Sequence, residues 1–178
     1  MFFLFMGIST SIGAVAHAVR ETAPAATFNT LWMAMNVSCS ISVFFALKAT
    51  IKFSRAPEAI GKLLSVLNYG LLIVFLGYTF IMNDFEIFKI HAAAGLFLIF
   101  LTHLIAYFKS HIGSGWIVSG MMLSFLTVLI HTLEISISPW FNYKDISHVI
   151  MMASLLLIYN GLNIMSESLK LSVQRARL

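Results

Sequence analysis

Apolar residues dominate six stretches of the 178-residue chain, roughly 2–19, 30–52, 63–82, 86–108, 114–135 and 146–168. Each holds about 20 residues, enough at 1.5 Å per residue to cross the ~30 Å hydrocarbon layer of a bilayer. An isolated strand would leave backbone groups unpaired in lipid, so each stretch is predicted to be helical. The connections are short. The pattern predicts an all-α, polytopic membrane protein: a single transmembrane helical domain over 1–178, built as a bundle of about six helices with short loops.

Polar residues inside the stretches are sparse, and many fall three, four or seven positions apart, the spacing of one helical face. Ser9, Gly13 and His17 align on the first helix, and Trp32, Asn36 and Ser40 on the second. The fourth offers His91, Gly95 and Thr102, with Asp84 on the same face if the helix starts early enough. The fifth offers Ser124, Thr127, His131 and Glu134, the sixth Asp145, His148, Met152 and Tyr159. Small and polar faces of this kind suit close packing between membrane helices. The third helix, with Asn68 and Tyr78 as its main polar groups, is expected at the periphery.

Composition agrees with the pattern. Hydrophobic residues make up 60% of the chain and charged residues 10%, with a mean hydropathy of +0.92; a soluble domain carries about 25% charged residues. The net charge of +4 is not a nucleic-acid signal, because the basic residues cluster at membrane boundaries. One side carries Lys48, Lys52, Arg55, Lys62, Lys109, Lys170, Arg175 and Arg177, the other only Arg20, Lys89 and Lys144. Eight against three makes the first side cytoplasmic by the positive-inside rule, with both termini inside and a bacterial inner membrane as the expected location. The first stretch has no basic n-region and is read as a retained helix, although Ala14, Ala16 and Ala18 resemble a cleavage signal. Cys39 is the only cysteine, so there is no disulfide framework and no cysteine metal motif. Trp116, Trp140, Phe141 and Tyr143 read as interfacial anchors.

Chemistry enters with four histidines. His17, His91, His131 and His148 each fall a few residues inside the same, outer, end of a stretch. Glu21, Glu134 and Asp145 lie three or four positions from His17, His131 and His148, and Asp84 and Glu86 precede His91. Ionisable groups are costly in a bilayer, so a layer of them points to a site. Imidazoles and carboxylates from several helices suit a transition metal, zinc first, with copper or haem b as alternatives. His17, His91, His131 and His148 are the expected metal ligands, with Asp145 and Glu134 as catalytic carboxylates. The plainer alternative is that each histidine reaches interfacial water or a backbone carbonyl. No HExxH or HxxxH motif is present, so the shared site rests on depth alone. His103 and His111 lie toward the inner face and outside the layer.

The segment Phe141-Asn142-Tyr143-Lys144-Asp145-Ile146-Ser147-His148, running into the last apolar stretch, resembles the final-helix motif of small bacterial polytopic membrane proteins of unknown function. More distantly it is similar to the superfamily of alkaline ceramidases, progestin and adipoQ receptors and haemolysin-III-like proteins. On that resemblance Gly13-Ala-Val-Ala-His17 matches a Ser-x-x-x-His motif, Asn36 stands where an Asp is usual, and His148 matches the last-helix histidine. The chain departs at Gly13 and Asn36, at the missing partner of His148, and in six spans for seven. The resemblance implies a metal-dependent lipid amide or ester hydrolase. Two other classes stay open: a b-haem or quinone subunit of an electron-transfer complex, and a non-catalytic subunit held among other membrane proteins. In all three the partners are the lipid bilayer and, for the subunit readings, other membrane subunits, with no nucleic acid. His91 and His103 lie 12 residues apart, about 120° around a helix, which argues against both facing one core.

Overall fold

A computed structural model describes residues 1–82, 85–138 and 140–175, without the side chains of 85–89, 172, 173 and 175. Six helices follow in order: α1 (Phe2–Ala18), α2 (Ala25–Ser54), α3 (Glu58–Met82), α4 (Phe85–Phe108), α5 (Ser114–Thr132) and α6 (Tyr143–Arg175). Among the described residues there is no strand, only one isolated bridge between Ser138 and Phe141. The chain is a helical membrane protein: α2 to α6 contain spans long and apolar enough to cross a bilayer, while α1 is a shorter apolar helix of 17 residues.

The helices run past the apolar stretches where local chemistry permits. Pro24 disfavours helix in the residue before it, so α2 starts at Ala25 and takes in Thr27, Asn29 and Thr30. The first turn of α3 gains Glu58, whose carboxylate pairs with Lys62 at 2.7 Å. The polar residues from Ser166 onward extend α6 to 33 residues, about 50 Å of helix.

Two compact units divide the chain, Met1–Ile99 and Phe100–Leu178. In the first, α2 is the hub. Taking about 100° per residue, Asn36, Ser40, Val43, Leu47 and Thr50 form one stripe on it, and all five are buried. Val43 and Leu47 face Gly95 of α4, where a Cβ would stand 2.5 Å from Val43 Cγ1. Glycine is therefore what lets these two helices close. On another face of α2, the Ser9 hydroxyl of α1 donates to the Met35 carbonyl (3.0 Å) and the Ser42 hydroxyl donates back to the Phe2 carbonyl (3.4 Å). On the third, Asn68 of α3 donates its amide N–H to the Phe44 carbonyl at 3.1 Å. Apart from Asn68 and Thr79, α3 buries little, as its expected peripheral place implies.

In the second unit α5 and α6 form an antiparallel pair joined along small residues. Gly113 approaches Gly161, and Gly120 approaches Ser154 seven positions on. An added Cβ would lie 2.5 Å from the Gly161 carbonyl at Gly113 and 2.8 Å from the Ser154 carbonyl at Gly120. Gly113 also has φ 85°, which favours glycine on its own. The Ser154 hydroxyl donates to the Gly120 carbonyl at 2.7 Å and lies 2.6 Å from the Ser124 hydroxyl. Small side chains and interhelical hydrogen bonds supply contact where lipid gives helices no hydrophobic reason to associate.

Candidate functional site

The four histidines singled out by depth do not share an environment. His17, His131 and His148 are exposed on their helices, whereas His91 is buried, 2% accessible. His17 sets its ring edge-on to Trp32 (centroids 5.8 Å), which itself stacks on Phe28. His131, in the last turn of α5, meets Tyr143 edge-on at 5.1 Å. Two of the four lie in each unit. Among the described residues no three His, Cys, Asp or Glu side chains gather as a metal site would require. Asp84 lies outside the described residues, as do the side chains of Glu86 and Lys89.

Of the two carboxylates proposed as catalytic, one has a local structural role and the other is exposed. Asp145 accepts the Asn142 backbone N–H at 3.1 Å and sits in the first turn of α6, where a negative charge meets the positive end of the helix dipole. Glu134 is exposed just beyond the end of α5, in a left-handed backbone conformation with φ 50°.

Three other polar residues are buried inside the first unit. Asn36 and Ser40 have no accessible surface, and His91 almost none. The amide oxygen and nitrogen of Asn36, the Ser40 hydroxyl and both ring nitrogens of His91 have no hydrogen-bond partner among the described residues. Phe75 and His91 stand eight positions either side of 83, the register of an antiparallel α3–α4 pair, so α2 and α4 run in the same direction. Since Gly95 meets Val43 and Leu47, one turn back on both helices carries His91 to the level of Ser40. Asn36 follows one turn nearer the start of α2. The His91 ring is fixed by stacking on Phe75, centroids 4.4 Å apart and planes at 10°. That stacking occupies one ring face and leaves hydrogen bonding to the ring edge.

Each buried polar group without a partner costs about 1–3 kcal/mol. Three such residues in one unit are therefore expensive. They offer donors and acceptors in mixed array: an amide with both, a hydroxyl with both, and an imidazole whose ring nitrogens can do either. Such a set can hold a guest that itself both donates and accepts. Sequence spacing had aligned Asn36 with Ser40 and His91 with Gly95. Depth had instead grouped His91 with three histidines that lie on exposed faces. Gly95 was the available signal, since a glycine one turn from a membrane histidine marks where another helix comes close.

His91 and His103 are both buried, at 2% and 4%, the first in one unit and the second in the other. Along α4 the buried residues His91, Gly95, Ile99, His103 and Ala106 sweep a broad arc rather than a narrow seam.

A family model described as a family of unknown function (DUF6962) matches residues 1–167. No curated protein and no solved structure matches the chain. The distant likeness to the ceramidase and haemolysin-III-like superfamily draws no support from these comparisons.

Proposed function

We propose that this chain, which belongs to the DUF6962 family, is an integral membrane protein that binds a small, uncharged, hydrogen-bonding molecule inside its first helical unit, with Asn36, Ser40 and His91 as the binding groups. The observation that carries the reading is the burial of these three side chains with their polar atoms unpartnered. Buried polar groups in membrane helices face the bundle interior and mark ligand or ion routes. The guest is uncharged because no described ionisable group other than His91 itself belongs to the cluster, and a buried charge without a partner is costly. Hydrolysis at a four-histidine zinc centre with Asp145 and Glu134 is the weaker reading, since three of those histidines are exposed, Asp145 is engaged in capping α6 and Glu134 is exposed.

The test is the ¹⁵N spectrum of histidine-labelled protein in lipid bilayers, with His91 assigned by comparison with His91→Gln. The expected result is a hydrogen-bonded signature at both ring nitrogens that shifts when Asn36 is replaced by Leu. A neutral ring with no hydrogen bond at either nitrogen, unmoved by Asn36→Leu, would sink the proposal.

A further inference from the structure

The ten residues joining α5 to α6, Leu133 to Asn142, are unusually apolar for a connection. Leu133, Ile135, Ile137, Trp140 and Phe141 are exposed, Trp140 at 94%. The described backbone of this segment is nonetheless well supplied with internal partners. The Ile135 N–H returns to the Ile130 carbonyl, and Ile137 and Ser138 donate to the Phe141 carbonyl. Phe141 donates back to Ser138, through both its carbonyl and its hydroxyl oxygen. The Ser136 hydroxyl accepts the Tyr143 N–H at 3.0 Å, and Asp145 accepts that of Asn142. A loop in water need not pair these N–H groups internally, whereas backbone that meets lipid must pair them.

We infer that this segment is a folded hairpin that dips into the bilayer interface, its partner being the lipid of the adjoining leaflet. α5 has 19 residues, about 28 Å, so its end at Thr132 falls at the edge of the hydrocarbon layer and the segment begins there. Its apolar surface continues the exposed Val128, Leu129, Val149 and Met152 of the two helices that carry it. The charges sit at its base: Glu134 beside the end of α5, and Lys144 over the Tyr143 ring at 5.6 Å, a tyrosine and lysine pairing suited to headgroup level. Described residues 135–138 and 140–142 carry no charge. This inference is independent of the Asn36, Ser40 and His91 site.

The experiment leaves Trp140 as the sole tryptophan, through Trp32→Phe and Trp116→Phe, in vesicles of phosphatidylcholine. Chains brominated near the glycerol end should quench its emission, and iodide in the water should not. Because Trp32 supports Phe28 and His17, a second variant avoids it: Ile137→Cys in a Cys39→Ser background, spin-labelled, should relax faster with oxygen than with a water-soluble nickel chelate. Quenching by iodide, or relaxation by nickel, would place the hairpin in water and overturn the inference. Protection from both quenchers, or from both relaxants, would mean that protein covers it, and would overturn it equally.

Discussion

His91 lies flat against Phe75, ring centroids 4.4 Å apart, while neither of its ring nitrogens has a partner among the described residues. The stacking holds the imidazole in place without satisfying it. A residue kept only for the fold would be better replaced by an apolar one, and this gives the first prediction.

Asn36→Leu and His91→Leu should raise thermal stability in detergent, because each removes buried polar atoms that cost about 1–3 kcal/mol apiece. Ligand-directed clusters commonly trade stability in this way. A fall in melting temperature for both variants would show that the groups support the fold.

The glycines should sort by their surroundings. Gly120→Ala forces a Cβ to within 2.7 Å of Ile158 Cγ1 and 2.8 Å of the Ser154 carbonyl, and overpacking of this kind costs about 1–3 kcal/mol. Gly77 has nothing within 4 Å of the added carbon. Gly77→Ala should be neutral, or stabilising by up to about 1 kcal/mol from helix propensity. Equal effects at the two positions, measured by thermal unfolding, would contradict the α5–α6 packing.

His148→Ala removes an exposed side chain, and a surface change of that kind usually stays within about 0.5 kcal/mol. Elemental analysis of wild type and variant should give the same metal content. A metal present in the wild type and lost in His148→Ala would restore the four-histidine centre.

Eight basic residues against three predict a cytoplasmic C-terminus, to be read with reporter fusions after Arg175. A C-terminus that reports outside would invert the orientation, and with it the leaflet that the hairpin enters.

The spans were legible because a run of about 20 apolar residues has few other uses. Helix ends were less legible, because the apolar stretches stop short of them: α2 begins at Ala25, just after Pro24 and ahead of the second stretch, and α6 runs on into polar residues past Ser166. Depth could also be read, since a residue's distance from the end of a span follows from counting. What counting could not supply was the direction each side chain faces. The polar stripes did not settle it: on α1 Ser9 and Gly13 are buried, while His17 on the same stripe is exposed. His17, His131 and His148 therefore looked equivalent to His91 until the neighbours of each helix were known. Asp145 misled in a related way, because a carboxylate three residues before a histidine and one in the first turn of a helix are the same letters in the sequence.

The length of α6 has a practical consequence. Its 33 residues amount to about 50 Å of unbroken helix, some 20 Å more than the hydrocarbon layer needs. A second helical protein spliced in phase onto the Ser166–Arg175 end would inherit a fixed direction and rotation. A chain of 19.8 kDa, too small to align in electron micrographs on its own features, would then carry its own pointer out of the detergent.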